Sequence, residues 1–225
     1  VWSGDATDFT VVAGQLRSNS STASYGFHFS TPSTTATNAQ WELYINLQFP
    51  TSSANFTDIY LMSDSANLES TTHSGYFVRI GNTTDEISLY KRTSGTNLEI
   101  IDGLDGQTNL SNNLIKIKVT RDAANLWTLQ RDLTGTGSSY FTEGSVTDAA
   151  ITTSAFFGIF IQQSTATFHL KHFYDDVYVG PIILDVTAPT IVSSTVISST
   201  QVDVLFNENV DLTTSQTLTN YSADN

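Results

Sequence analysis

The sequence contains no cysteine among its 225 residues. Disulfide bonds and thiolate metal sites are therefore impossible, and enzymes with a cysteine nucleophile are excluded. The absence of disulfides fits bacterial export better than eukaryotic secretion, where disulfide bonds are frequent. No apolar run approaches the length of a membrane-spanning segment, so we expect no membrane insertion.

Positive charge is also scarce. Nine lysines and arginines stand against 22 aspartates and glutamates, which gives a formal net charge of -13. A chain this acidic repels nucleic acid and anionic lipid, so neither is an expected partner. Strongly anionic polysaccharides are disfavoured for the same reason, unless a local basic patch or a bridging cation intervenes.

What the sequence does contain is a series of segments in which apolar and polar residues alternate. The clearest is 40–49, where apolar side chains occupy the odd positions from Trp41 to Phe49 and other residues the even positions. A period of two predicts a β-strand with one buried face. Only 14% of the residues are charged, and abundant Ser, Thr and Asn suit a β-rich extracellular protein.

Turn sequences separate these segments, and no helical periodicity lies between them. Strands joined by tight turns pair antiparallel, and many of them in one domain form two sheets packed face to face. We therefore predict an all-β fold, a two-sheet antiparallel β-sandwich (jelly roll), over residues 1–180. The predicted strands are 9–17, 22–29, 40–49, 56–63, 75–81, 85–92, 97–102, 113–121, 125–132, 138–143, 154–163 and 166–179.

The pattern changes near Gly180. Residues 181–189 are interpreted as an interdomain linker. Residues 190–225 contain two short β-like runs, which are too little chain for a sandwich of their own. We interpret 190–225 as part of a second β-sandwich domain.

A set of short segments carries a family pattern. They are Trp2-Ser3-Gly4-Asp5, Phe9-Thr10-Val11, Trp41-Glu42-Leu43-Tyr44, 59–64, 75–81, 85–90, 117–122, 127–129, 157–159 and 173–177. Together they resemble concanavalin A-like (laminin-G-like) jelly-roll domains, in the version found in large secreted proteins of Bacteroidetes. After them, Ala188-Pro189-Thr190, 204–210 and Asn220-Tyr221 are similar to bacterial Ig-like (SbsA-type) domains.

The resemblance implies a jelly roll followed by a partial Ig-like β-sandwich domain. It also implies an exported or surface-attached multidomain protein, such as a type IX secretion substrate. Jelly rolls of this kind host lectins, carbohydrate-binding modules, hydrolases and structural spacers, so the fold leaves the function open.

Paired catalytic groups are not evident in the sequence. A glycoside hydrolase needs two carboxylates about 5–10 Å apart, and jelly-roll hydrolases carry them in a Glu-x-Asp-x-x-Glu string that this chain lacks. Asp85-Glu86 and Asp175-Asp176 are adjacent pairs, whose side chains point to opposite faces of a strand. The four histidines fit no nucleophile motif and are expected at the surface. We predict that the chain is not an enzyme, with a hydrolase-like domain as an alternative.

The expected cofactor is a structural calcium ion. Calcium takes oxygen ligands, and related binding modules often hold it where the N-terminal and C-terminal strands meet. Asp5 precedes the first strand, and Asp175 and Asp176 lie on the last, so these three are the predicted ligands. The alternative is that Asp175 or Asp176 caps a turn or accepts hydrogen bonds from backbone N–H groups. A loop with Asp102, Asp105 and Asn109 lacks the terminal Glu of a calcium loop and is interpreted as a solvated turn.

Glycan binding is the predicted activity. Sugars stack their apolar faces on aromatic rings, and their hydroxyls bond to placed polar side chains. If the aliphatic residues of each strand face the core, the aromatic and polar residues between them share a free sheet face. Trp41 and Trp127 alternate with aliphatic residues and are predicted core residues. The predicted ligand-binding residues are Tyr44, Asn46, Tyr60, Phe77, Arg79, Tyr90 and Arg92.

We therefore expect a non-catalytic carbohydrate-binding or adhesive module, extracellular or at the cell surface, whose partner is a polysaccharide or a cell-surface glycan. Secretion or surface-attachment proteins are further candidate partners. Two alternatives remain open, a hydrolase-like domain and a spacer or passenger domain. Aromatic residues favour strands in any case and loops can cover a sheet face, so the domain could instead be a spacer or passenger without a ligand.

Overall fold

The computed structural model describes residues 1–184, 186–208, 210, 215 and 217–222. The chain forms two compact units, Val1–Ile182 and Ile183–Asn225, which are described separately. In the described part of the chain, no helix is both long and apolar enough to cross a membrane.

The first unit contains two antiparallel sheets of seven strands each. Its strands are β1 (Ser3–Gly4), β2 (Phe9–Val12), β3 (Gln15–Ser18), β4 (Tyr25–Pro32), β5 (Ala39–Leu47), β6 (Phe56–Ser63), β7 (Gly75–Ile80), β8 (Ile87–Thr93), β9 (Thr96–Ile101), β10 (Asn113–Arg121), β11 (Leu126–Asp132), β12 (Phe141–Thr147), β13 (Phe156–Gln163) and β14 (His172–Pro181). Sheet A has the order β1-β4-β13-β6-β7-β8-β9, and sheet B has the order β12-β11-β10-β5-β14-β3-β2.

The hydrophobic core lies between the two sheets and follows the predicted alternation. On β5 the odd-numbered side chains from Trp41 to Leu47 are buried, whereas Glu42, Tyr44 and Asn46 are only partly buried. The indole rings of Trp41 and Trp127 stack with centroids 5.7 Å apart, as expected for core residues. The face of each sheet that points away from this core is called its outer face below. The two-sheet sandwich predicted from the sequence is confirmed.

A buried arginine, Arg121, connects two loops to the core of the sandwich. Arg121 ends β10 at a core-facing position and is fully buried. Its guanidinium donates hydrogen bonds to the carbonyl oxygens of Ala36 (3.1 Å), Ile151 (2.9 Å) and Asp148 (3.3 Å). Two loops outside the regular strands, 33–38 and 148–155, therefore share one rigid donor.

Three predicted strands differ in the structure. Of the segment 138–143, only residues 141–143 lie in a strand, β12. The segment 9–17 is a hairpin, because Ala13 and Gly14 adopt positive φ angles of 51° and 89° and reverse the chain between β2 and β3. The segment 166–179 begins with a short 3-10 helix at Ala166–Phe168, and β14 starts at His172. The short edge strand β1 was not predicted.

The expectation of surface histidines is wrong for three of the four. His28, His73 and His172 are buried, and only His169 is partly exposed. His172 packs edge-on against the ring of Phe49 and its Nδ1 lies 3.2 Å from the Ser18 hydroxyl. Burial lowers the pKa of His172 to about 3, so the imidazole is a neutral core group at neutral pH.

The second unit contains one antiparallel hairpin in its described part. Strands β15 (Ile191–Ser198) and β16 (Gln201–Phe206) pair, and their side chains are almost all exposed. The assignment of 190–225 to an Ig-like domain stays a prediction. The part of it that falls on residues 209, 211–214, 216 and 223–225 lies outside the described residues.

Candidate functional site

Five of the seven predicted ligand-binding residues share the outer face of sheet A. Tyr60 of β6 pairs with Phe77 of β7, and Phe77 pairs with Tyr90 of β8. Arg79 and Arg92 lie on the same face, two residues further along β7 and β8, as the period of two requires. The alternation predicted on these strands is therefore confirmed.

The other two residues, Tyr44 and Asn46, are on the opposite side of the molecule. They belong to β5, the central strand of sheet B, and face outward from that sheet. A single platform of all seven residues is therefore wrong. Strand alternation tells which residues share a face of one strand, but not which strands share a sheet.

The aromatic residues of the sheet A outer face are not an open platform either. Tyr60, Phe77 and Tyr90 are only 2%, 0% and 7% exposed. Their rings form a continuous stack, with centroids 4.9 Å apart for Tyr60 and Phe77 and 5.2 Å apart for Phe77 and Tyr90. The buried Leu68 packs against this stack from the loop 64–74. The alternative that a loop covers the face applies here.

The loop 64–74 is held to sheet A by side-chain hydrogen bonds. The Ser30 hydroxyl on β4 donates to the carbonyl oxygen of Ala66 at 2.8 Å. Arg92 on β8 donates to the carbonyl oxygen of Ser70 at 3.3 Å, and His73 Nδ1 lies 2.7 Å from the same oxygen. The cover is therefore anchored to β4, two strands away from the aromatic stack, and to β8, which carries Tyr90.

An open pocket of about 280 Å³ remains between the loop and the sheet. Asp58 forms its charged floor, with only 2% exposure, and Arg79 donates from Nε and Nη2 to its two carboxylate oxygens at 2.8 Å each. Burial raises the pKa of the Asp58 carboxyl, and the Arg79 guanidinium works against that shift. The pocket is lined by Gly26, Asp58, Tyr60, Leu68, Glu69, Arg79, Arg92, Phe160 and Gln162.

The groups left open to a ligand differ from those expected. Phe160 on β13 is partly exposed and lines the pocket. By contrast, one face of the Phe56 ring is covered by the Arg79 guanidinium, whose central carbon lies 4.1 Å from the ring centroid. Phe160 alternates with Ile159 and Ile161, so the same period that selected Tyr60 could have selected it. Leu68 and Glu69 lie in a loop, where the sequence carries no periodic signal.

A cluster of ionisable groups borders the pocket through Glu69. His28 Nδ1 lies 3.1 Å from Glu69 Oε1 and 3.2 Å from Asp5 Oδ2. The His28 backbone N–H also donates to Asp5 Oδ2 at 2.9 Å. One imidazole nitrogen between two carboxylates fastens the loop 64–74 and the segment after β1 to β4.

The three predicted calcium ligands do not come together. Asp5 lies beside β4 of sheet A, whereas Asp175 and Asp176 lie on β14 of sheet B. A bulge in β14 turns Asp176 toward Lys116, whose ammonium group is 3.1 Å away. Asp176 also has a positive φ of 51°, and its N–H donates to Asp175 Oδ1. The alternative that one of these aspartates accepts a bond from a backbone N–H group describes this pair, and the prediction of one calcium site formed by Asp5, Asp175 and Asp176 is wrong.

A different group of carboxylates does converge, at the β8–β9 edge of sheet A. Oxygen atoms of Glu86, Glu99 and Asp102 lie within 4.8 Å of one another. Burial raises the pKa of Glu99, and the carboxylates of Glu86 and Asp102 add to that shift, whereas the nearby hydroxyl groups of Ser88 and Tyr90 oppose it. Glu99 Oε1 is buried and accepts no hydrogen bond. Three carboxylates, one of which has an oxygen without a hydrogen-bond partner, offer the oxygen ligands that a hard cation such as Ca²⁺ prefers.

Comparison with known proteins gives structural neighbours only. No protein-family model matches the chain, and no curated protein matches its sequence. The carbohydrate-binding module CBM66 from Bacillus subtilis has a TM-score of 0.54 at 10% identity, covering 80% of this chain and 94% of that chain. The carbohydrate recognition domain of Emp47p has a TM-score of 0.56 at 10% identity, with coverages of 80% and 89%.

The exoplasmic/lumenal domain of VIP36, in its Ca²⁺/Man3GlcNAc-bound form, is a third neighbour. Its TM-score is 0.53 at 10% identity, and the match covers 83% of this chain and 85% of that chain. At such low identities the likeness concerns the fold alone. The described chain therefore has the lectin-like jelly-roll sandwich expected from its sequence.

Proposed function

We propose that this chain is a non-catalytic carbohydrate-binding module and that the pocket on the outer face of sheet A holds one sugar residue. The observation that carries the proposal is the composition of that pocket. A partly exposed aromatic ring, Phe160, lies beside fixed polar groups of Asp58, Arg79, Arg92 and Gln162. A sugar ring needs this combination of a flat apolar surface and placed hydrogen-bonding groups.

The ion pair of Asp58 and Arg79 supports binding rather than hydrolysis. A buried carboxylate that already accepts two bonds from a guanidinium keeps lone pairs for sugar hydroxyls, and the guanidinium keeps free N–H donors. A glycosidase would need a second carboxyl group poised across the bond. The other carboxyl group of this pocket, that of Glu69, lies against His28.

The neighbours agree with this chemistry, since three of them are described as carbohydrate-binding or sugar-bound domains. The wider setting belongs to the same proposal: an exported or cell-surface protein, a bacterial multidomain architecture of the type IX secretion kind, and an Ig-like domain that includes 190–225. A polysaccharide or cell-surface glycan is the proposed partner.

We also propose a structural calcium ion held by Glu86, Glu99 and Asp102. The ion would neutralise three crowded carboxylates at the edge of the sheet that carries the pocket. Adding calcium to the chelator-treated protein is expected to raise its melting temperature by about 4 °C or more, since a ligand that binds only the folded state stabilises it. The variant Glu99→Gln should lose that response, and Asp176→Asn should keep it. A response lost in Asp176→Asn instead would return the site to β14.

The binding proposal is tested with an insoluble-polysaccharide and glycan-array screen of the full chain, followed by calorimetry on the best ligand. Phe160→Ala should weaken affinity about tenfold by removing the stacking surface. The control Tyr44→Ala removes an aromatic ring from the outer face of sheet B and should leave affinity unchanged.

Three other results would contradict the proposed site or the proposed function. Equal losses in Phe160→Ala and Tyr44→Ala would move the site away from the pocket. Failure to bind any glycan in the panel, with and without calcium, would favour a spacer or passenger domain. Release of reducing sugar from a bound polysaccharide would restore the hydrolase alternative.

A further inference from the structure

A second cleft opens at the end of β4 that lies away from the pocket, between residues of sheet A and residues of β14 in sheet B. Its volume is about 450 Å³, larger than that of the pocket on sheet A. It is formed by the segment around β1, by β4 and β13 of sheet A, and by β14 of sheet B. The lining residues are Trp2, Thr31, Pro32, Ser33, Thr34, Thr35, Phe157, Val177 and Val179, and none of them is charged.

Trp2 provides a fixed aromatic surface in this cleft. One face of its ring stacks on Phe29, with centroids 5.1 Å apart and planes 17° apart. Its ring also meets Phe157 edge-on at 6.1 Å. Trp2 is nevertheless 37% exposed, so its open area belongs to the remaining face and edges. The other two tryptophans, Trp41 and Trp127, are 1% and 0% exposed.

The hydroxyl-bearing side of the cleft is held in place. The backbone N–H of Ser33 donates to the carbonyl oxygen of Ala155 at 2.9 Å. A few residues on, the carbonyl oxygen of Ala36 accepts a bond from the buried guanidinium of Arg121. Thr34 lies between these two anchors and is exposed to solvent. These hydroxyl-bearing residues therefore line the cleft from a segment that is held at both ends.

We propose that this cleft is a second binding site for one ring of a neutral sugar, stacked on Trp2. The proposal rests on the proposed carbohydrate-binding function but names a separate site. A pyranose ring has an apolar face for the indole and hydroxyl edges for threonine and serine side chains, and an uncharged lining favours an uncharged ligand. With two sites on one domain, a long polysaccharide chain is held by avidity.

The fluorescence of Trp2 is the readout of the test. Because the other tryptophans are buried, acrylamide quenching of tryptophan fluorescence measures the accessibility of Trp2. The probes are the neutral oligosaccharides cellotetraose, laminaritetraose and mannotetraose, each added at rising concentration to the full chain. At least one should reduce the quenching of Trp2, and it should do so equally in Phe160→Ala, in which the pocket on sheet A is impaired.

Matched variants locate the contact without removing the reporter. Thr34→Val deletes one hydroxyl of the cleft at nearly constant shape and should weaken the protection of Trp2 about fivefold, the value of a hydrogen bond of ordinary strength. The control Thr37→Val alters an exposed threonine of the same segment that does not line the cleft, and it should change nothing.

The two proposals fail in different ways. Heat of binding in calorimetry with unchanged quenching of Trp2 would overturn the second site and leave the first intact. Protection of Trp2 that disappears in Phe160→Ala would also overturn it, because the effect would then come from the first pocket. Neither heat nor protection with any of the three probes would overturn the second site, and the first would then be decided by the glycan panel.

Discussion

Each outer face of the sandwich carries a loop, and the two loops are built in different ways. The loop 64–74 over sheet A is fastened to strands by side chains such as Ser30 and Arg92, and it buries an aromatic stack. The loop 133–140 over sheet B folds around one carboxylate. Asp132, at the end of β11, accepts bonds from the backbone N–H groups of Thr134, Gly137, Ser138 and Ser139 at 2.7–3.1 Å.

What lies under the loops differs accordingly. Beneath the cover of sheet A, Asp58 and Arg79 form a buried ion pair beside aromatic rings. On sheet B, the pair Lys118 and Glu42 is partly solvated at 3.8 Å, and Tyr140 lies over the lysine. A loop that is tied to distant strands can therefore leave a pocket with desolvated charges, where polar contacts with a ligand are strong.

The largest effect is expected from breaking the ion pair under the loop 64–74. Arg79→Met leaves the buried Asp58 without its counter-charge and should lower the free energy of unfolding by about 3 kcal/mol. Lys118→Met, the matched change on sheet B, should cost about 1 kcal/mol or less. Urea denaturation of both variants measures the difference, and equal losses would mean that the two faces are electrostatically alike.

A smaller loss is expected on sheet B from Asp132→Asn. Burial alone would raise the pKa of Asp132, but bonds from the Thr134 hydroxyl and the backbone of Thr134, Ser139 and Gly137 lower it to about 2 from an ordinary 3.8. That difference corresponds to about 2 kcal/mol of stability at neutral pH. A depressed pKa contributes stability that is complete above pH 3.8 and is lost as the pH falls toward 2.

The acid denaturation profile checks this assignment. Asp132→Asn should flatten the loss of stability between pH 3.8 and 2, compared with the unmodified chain. The control Asp122→Asn changes a turn carboxylate that accepts from two backbone N–H groups, Ala124 and Leu126, and it should cost less than about 1 kcal/mol. A steeper profile in Asp132→Asn would contradict the pKa shift.

The smallest effect is expected from breaking the contact between Glu69 and His28, and it distinguishes the loop 64–74 from the loop 133–140. Glu69→Ala releases the loop 64–74 from His28 at a half-exposed contact, so the free energy of unfolding should change by less than about 1 kcal/mol. Hydrogen exchange of amides in 64–74 should nevertheless become faster, while amides in 133–140 keep their rates. Faster exchange in both loops would show that the covers are coupled through the core.

Much of the fold could be predicted from the sequence, because side chains along a β-strand alternate between its two faces. Trp41 and Trp127 were placed in the core, and Arg79 and Arg92 on a shared face, from alternation alone. The same alternation puts Arg121 in line with the inward residues of β10, a signal of the buried charge that links three carbonyl groups. Breaks in periodicity were harder, because positive φ angles at Ala13 and Gly14 are a matter of local turns.

Only part of the candidate site could be predicted from the sequence. Phe160 carries the same periodic signal as Tyr60, whereas Leu68 and Glu69 reach the pocket from a loop. Contacts across long sequence separations set the site: His28 meets Glu69, and Glu86 meets Glu99 and Asp102. No local pattern encodes such meetings, because they depend on which strands become neighbours in each sheet.

By itself, the sequence determined the fold class, the core residues and the residues that face away from the core, since burial of alternate side chains dominates the energetics of a sandwich. The tertiary structure decided which outward residues meet. Strand order separated Tyr44 from Tyr60 and Asp5 from Asp176, and one loop converted an aromatic face into a pocket. These outcomes follow from long-range packing, which acts between residues that are distant in the chain and close only after folding.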